Sequence, residues 1–223
     1  MSFTASDFRI SEHWANYETG IENPDGFLQF KISDFVKATL SLIVPNGCIL
    51  DLGCGDGRHS FYFYRHGFHT YAADINCKSI RKNCSKLGFT ALSIKEYSFT
   101  KIPEKANFFD AVYCMSALHH ACRRDIVAAT GEIYRVLAPG GIFVFDFLTR
   151  YDSSYGLGRE IEENTFLGSR EGEAEIPHHY TDEKEIETLT SDFSDVKVQK
   201  SIYSYTYDGR SLAEKVFDVI AVK

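Results

Sequence analysis

Apolar residues recur at two different spacings along this chain, and the alternation between them sets the expected elements. Over residues 27–43, Leu28, Ile32, Phe35, Val36 and Ile43 fall at helical spacing, and Pro45, Asn46 and Gly47 end the run. Cys48 to Leu52 then reads as a short buried strand, and Gly53 to Gly57 form a glycine-rich turn. Ser60 to Tyr64 has the composition of a strand, yet its place between that turn and Gly67 predicts a helix. A second strand is expected at 68–74. Asn76 should cap a helix carrying Ile80, Cys84 and Leu87, with Gly88 just past its end and a third strand at 89–94. A fourth strand follows at 109–115 and an amphipathic helix at 124–137, stopped by Pro139-Gly140-Gly141. The fifth strand, 142–147, is apolar on both faces except for Asp146.

This alternation predicts a parallel sheet with helices on both faces. The pattern then lapses over 149–180, and a loop of that length in a compact domain is usually functional or disordered. A helix at 182–190 precedes strands at 195–207 and 212–222, joined across Asp208-Gly209, a dipeptide that favours a tight hairpin turn. The expected fold is α/β: a doubly wound, Rossmann-like, seven-stranded sheet, parallel with an antiparallel C-terminal hairpin. The 223 residues are expected to form a single domain, with an N-terminal arm over 1–26 and a lid-like insertion over 149–180.

Composition narrows the class. With 44% hydrophobic and 25% charged residues, the chain is neither disordered nor fibrous, and no apolar run is long enough to suggest a membrane span. The segment MSFTASDFRI lacks the basic start and apolar stretch of a secretory signal, so a cytoplasmic location is expected. Six cysteines could suggest disulfides, but several sit in strand-like runs and none forms a CxxC pair, so reduced thiols are expected. The net charge of −7 is uneven: residues 151–200 hold 13 acidic and 5 basic side chains, and the rest is nearly balanced. No basic tract announces a nucleic-acid partner.

The turn Asp51-Leu52-Gly53-Cys54-Gly55-Asp56-Gly57 follows the first strand directly. Glycines there let the backbone turn tightly and approach a ligand without a Cβ in the way. Asp74, at the end of the second strand, lies where an acid can accept hydrogen bonds from ribose hydroxyls. A nicotinamide or flavin dinucleotide would call for G-x-G-x-x-G under its pyrophosphate. Here the spacing is G-x-G-x-G, Arg58 stands where the third glycine would be, and Asp56 would oppose a pyrophosphate. An adenosine ligand with an amino-acid tail and no phosphates suits the turn better.

ILDLGCGDG resembles the first motif of class I S-adenosylmethionine-dependent methyltransferases, and Asp74 matches that family's acid after the second strand. FFDAVYCMSALHH (108–120) is similar to its fourth-strand motif and LAPGGIFVFDF (137–147) to its fifth; the resemblance covers about 27–148 and 182–223. It implies S-adenosyl-L-methionine as cofactor, with Asp51, Gly53 and Gly55 lining the methionine end and Gly57 opening the next helix. Asp74 would hold the ribose, and Ile75 would pack on the adenine. Arg58 resembles an arginine of tellurite-resistance-like small-molecule methyltransferases and would contact the carboxylate. Ser98 stands where the family often has an adenine-binding Asp, and Met115, within the fourth-strand motif, completes the set.

Methyl transfer asks chiefly for alignment, exclusion of water and sometimes removal of a proton, so the acceptor side has no universal motif. Trp14 and Tyr17 could fold over the cofactor or anchor a surface arm. His119 and His120 could face the acceptor as base or orienter, or hold their loop by hydrogen bonds. His178, His179 and Tyr180, with Arg159, Glu160 and Glu162, form a dense polar group that either lines a substrate lid or is solvated. No i, i+4 or facial-triad spacing suggests a metal, and none is expected. The cysteines have no spacing that would trap a metalloid.

The resemblance thus implies methyl transfer to the O or N of a small-molecule acceptor. Methylation of a modified tRNA wobble base and a non-catalytic, cofactor-binding partner subunit are the alternatives.

Overall fold

The computed structural model describes residues 32–170, 172–207 and 210–223. Ser33 accepts a hydrogen bond from the Val36 N–H at 3.1 Å and so caps α1 (Asp34–Thr39), which is shorter than the helical spacing over 27–43 suggested; residues 27–31 lie outside the described residues. A 3-10 turn (Leu40–Leu42) leads to β1 (Cys48–Leu52). The aromatic stretch after the glycine turn is helical, forming α2 (Arg58–Arg65). Burial decides this against local propensity: Phe61 and Phe63 are buried in separate apolar clusters, one facing the next helix and one facing the sheet.

β2 (His69–Asp74), α3 (Lys78–Leu87) and β3 (Ser93–Glu96) follow, and Gly88 ends α3 with φ +73° as expected. Asn76 is not the cap of α3. Cys77 holds that position, and the Asn76 side chain accepts instead from the Lys78 N–H at 3.0 Å. The third strand also begins later than its apolar pattern suggested. Phe89 closes α3 through its N–H to the Cys84 carbonyl and sets its ring 4.5 Å from that of Phe61, which keeps it out of the sheet. β4 (Phe109–Cys114) and α4 (Arg123–Val136) come next, and β5 (Leu137–Leu148) starts directly where α4 stops. Pro139-Gly140-Gly141 therefore lies within the strand, not between the two elements.

The lapse expected over 149–180 is not structureless. β6 (Arg159–Glu162), β7 (Thr165–Leu167) and β8 (Pro177–His179) form a small antiparallel sheet in that order. Strands of three or four residues are too short to show a period of two, which explains why sequence pattern missed them. Both ends of the excursion meet: Thr149 and Thr181 form a parallel bridge, and the Thr181 N–H donates to the Leu148 carbonyl at 2.8 Å. Leu148, Phe166, Tyr180 and Val216 form the apolar seam beneath it.

α5 (Glu183–Leu189), capped by Asp182, leads into β9 (Asp195–Tyr207) and β10 (Arg210–Val222). The main sheet runs β3-β2-β1-β4-β5-β10-β9, parallel from β3 to β5, with β10 antiparallel to both β5 and β9. Alternate side chains enter opposite layers. Leu50, Val112, Phe143 and Phe145 pack with Ile126 and Ile133 of α4, whereas Ile49, Tyr113 and Val144 pack with Val36 and Phe63. All six cysteines are free thiols, and no helix among the described residues is long and apolar enough to cross a membrane.

Phe143 lies fully buried, stacked on Phe145 at 4.3 Å between ring centroids. Phe143→Ala is expected to lower stability by about 3–5 kcal/mol, measured by urea unfolding with an unchanged slope; a loss below about 1 kcal/mol would mean that this layer can collapse around the gap.

Candidate functional site

The sheet order reverses between β1 and β4, and open α/β sheets bind ligands in the crevice outside the carboxyl ends of the strands at that point. The glycine turn lies there. Gly53 has φ +73°, and a Cβ on it would collide with Ala117 of the loop after β4, so the two loops can close together only over glycine. Gly55 has φ +53° and is exposed, with no atom within 4 Å of where its Cβ would be. The turn is thus tight on its protein side and open above Gly55. Gly57 precedes α2, and the Arg58 N–H contacts the Asp56 carboxylate at 3.3 Å.

Asp74 shapes this turn directly. One carboxylate oxygen accepts the Gly55 N–H at 2.9 Å and the other accepts the Asn76 N–H at 3.1 Å. Asp51 is buried and accepts the Ser60 hydroxyl at 2.5 Å. Burial pushes Asp51 up to about 7, against the Ser60 hydrogen bond and the Arg58 charge. Asp74 is also raised by burial, with its three backbone donors opposing. Ile75 is half-buried beside it, and Met115 is buried at the end of β4. Ser98 lies two residues past β3, buried, with its hydroxyl 3.0 Å from that of Thr100.

A third carboxyl was visible in the sequence only as the polar exception on its strand. Asp146 of β5 is buried and accepts both the N–H and the hydroxyl of Ser116. Ser116 itself has φ +53°, an uncommon conformation for a residue other than glycine. Burial pushes Asp146 up to about 7; the Ser116 N–H opposes this, and Glu214 and Asp218 add to it. Asp218 faces Asp146 in register across β5 and β10, with its own oxygens taken by Ser201, Tyr203 and Gln199.

The histidines separate into distinct environments. His119 is buried; burial, with neighbouring His178, Arg170 and His179, holds its pKa well below the ordinary range. Its Nδ1 finds no hydrogen-bond partner among the described residues. Its carbonyl accepts the His179 N–H at 2.9 Å, which clamps the loop after β4 onto β8. His179 has both ring nitrogens engaged, by Thr165 at 2.7 Å and Glu185 at 3.1 Å. His178 instead meets Glu173 at 2.6 Å through Nε2. The acids of this segment are internal ties more than a solvated fringe: Glu162 accepts the Arg123 N–H at the start of α4, and Glu185 accepts from Arg123 and Thr181. Trp14 and Tyr17 lie outside the described residues.

Spacing gave no sign of a metal site, yet His120, Glu173 and His178 come together, each offering one ligand atom within 4.8 Å of the others. The three derive from the loop after β4, the β7–β8 connection and β8, which is why no short motif announces them.

Raised carboxyls make a pH signature. Asp146 binds its proton more tightly folded than unfolded, so the stability that Asp146 itself contributes is lost as pH rises from about 4 to about 7. Asp146→Asn can keep an oxygen for the Ser116 N–H but carries no charge. Its melting temperature relative to wild type is expected to rise across that window and level off above it, by thermal melts at pH 5 and pH 8; a difference that stays flat with pH would refute the assignment.

Residues 50–145 match a family model described as a methyltransferase domain. The chain is 33% identical over 135 residues to a sterol 24-C-methyltransferase of Schizosaccharomyces pombe, covering 56% of this chain and 35% of that protein. Among solved structures it resembles a SAM-dependent methyltransferase of Methanosarcina mazei, with TM-score 0.70, 22% identity, and coverage of 87% of this chain and 99% of the other. It also resembles a Burkholderia thailandensis 1,6-didemethyltoxoflavin-N1-methyltransferase bound to its namesake substrate and S-adenosylhomocysteine. There the TM-score is 0.61 and the identity 21%, covering 98% of this chain and 86% of that one. The chain spans between 35% and 50% of the length of such curated relatives.

Proposed function

We propose that the chain, whose residues 50–145 are a methyltransferase domain on the class I fold, transfers the methyl group of S-adenosylmethionine to the O or N of a small-molecule acceptor. The observation that carries this reading is the turn itself, closed against Ala117 beneath Gly53, open above Gly55, and tied to Asp74 by the Gly55 N–H. Asp51, Gly53 and Gly55 would line the methionine end, and Arg58 would meet its carboxylate. Asp74 would turn the lone pairs left beyond its three backbone N–H donors to the ribose hydroxyls. Ile75, Ser98 and Met115 complete the adenosine side. When bound, S-adenosylmethionine supplies a methyl carbon already activated by a sulfonium.

The acceptor would enter between the loop after β4 and the segment 149–180, which serves as its cover, with Tyr17 of the N-terminal arm closing the site. These parts of the chain would hold the acceptor in line with the activated methyl carbon and keep water out. A proton left on the acceptor needs a base. His119 is the candidate: its Nδ1 has no hydrogen-bond partner among the described residues, and although the burial that keeps the ring neutral weakens it as a base, an acceptor oxygen becomes strongly acidic as it gains the methyl group and needs only a weak one. His179 has both nitrogens engaged and is assigned to hold β8, while His178 orients the same segment.

S-adenosylmethionine or its homocysteine product should raise the melting temperature, and NAD should not, because a ligand of the native state stabilises with the logarithm of its saturation. The reverse ranking by differential scanning fluorimetry would remove the cofactor assignment.

With an acceptor found by screening amines, hydroxyacids and phenols for homocysteine-product release, His119→Ala should lower kcat and kcat/KM together. Cofactor affinity by calorimetry should stay within a few-fold. Full activity in that variant would exclude His119 as base.

A further inference from the structure

Segment 149–180 is held in place by more contacts than a cover requires, and one group of them has a composition of its own. His178 is fully buried, its ring 4.9 Å from His120 edge-to-face and 6.3 Å from His119 stacked, and its Nε2 meets Glu173 at 2.6 Å. Its Nδ1 has no hydrogen-bond partner among the described residues, an unusual condition for a buried ring nitrogen. His120 and Glu173 are half-buried, whereas His178 is closed off from solvent.

We propose that His120, Glu173 and His178 bind one divalent first-row transition cation of the zinc, iron or cobalt type. The donor chemistry selects the class: imidazole suits these metals, and a single carboxylate beside two imidazoles is hard enough for them without favouring magnesium or calcium, which take all-oxygen sets. The placement selects an open site. Three protein ligands leave at least one position of the ion for water or another molecule, as metal centres that do more than hold a fold require.

Glu173 supplies the carboxylate oxygen that already meets His178 Nε2 at 2.6 Å. Arg170, whose charge reaches this group, is ion-paired with Glu214, which limits its opposition to a cation.

The test uses the full chain stripped with chelator and does not depend on any methyl acceptor. Cobalt(II) titration, followed by visible d–d absorption, and zinc(II) calorimetry are expected to give one bound ion per chain. His120→Ala and Glu173→Gln should each weaken binding by more than the roughly 10–100-fold that loss of a merely supporting group costs. His69→Ala, at an exposed position on β2, should leave it unchanged. If His120→Ala fails to fold, Glu173→Gln, which keeps the side-chain size, decides. No saturable binding, or binding that both ligand variants retain, overturns the proposal, and so does binding that His69→Ala abolishes equally.

Discussion

Three carboxyls gathered at the carboxyl edge of one sheet, without a cation to pair them, are the constraint around which this molecule is organised. Asp51, Asp74 and Asp146 are all raised by burial, and among the described residues no salt bridge reaches any of them. Uncharged donors hold them instead: the Ser60 hydroxyl, the Gly55 and Asn76 N–H groups, and the Ser116 N–H and hydroxyl. The Gly55, Asn76 and Ser116 donors lie in loops that leave β1, β2 and β4, and Ser60 lies in the first turn of α2, so these bonds tie the loops and that helix to the strand ends. An anion such as pyrophosphate would meet this edge at an electrostatic penalty. A ligand carrying positive charge would relieve the strain of two carboxyls that sit near 7, which fits a sulfonium with an ammonium group.

The parts of this edge that were legible in the sequence are those in which one short stretch does the whole task. Asp51 through Gly57 carries both the strand end and the turn, so its residue order states its geometry. Asp74 could be located because it ends an apolar run that must be a strand. The parallel sheet followed from alternation, and the terminal hairpin from two strand-like runs on either side of Asp208-Gly209, residues that themselves lie outside the described ones. What escaped depends on pairs distant in sequence. Asp146 shows its purpose only when Ser116 is beside it, and His120, Glu173 and His178 approach one another only because β8 folds back over the loop after β4. Phe89 was misread for a similar reason, since its ring serves α2 and not β3.

The clamp between those two loops also bears on how the acceptor side could move. The His179 N–H on the His119 carbonyl joins a strand of the small sheet to the loop that carries the candidate base. Glu185 then ties His179, Thr181 and Arg123 together, so β8, α5 and the start of α4 share one buried carboxylate. A displacement of the small sheet would therefore be felt at His119 through hydrogen bonds, not through apolar contact alone.

Thr149 and Thr181 lie side by side, so more than thirty residues leave the sheet and return to it at one point. Seen as ancestry and not as mechanics, this is the geometry of an exchangeable cassette. A lineage could lengthen, shorten or replace everything between those two threonines while β5, β10 and the glycine turn kept their register. Under the function proposed, the choice of acceptor would drift from one descendant to the next while the turn is inherited unchanged.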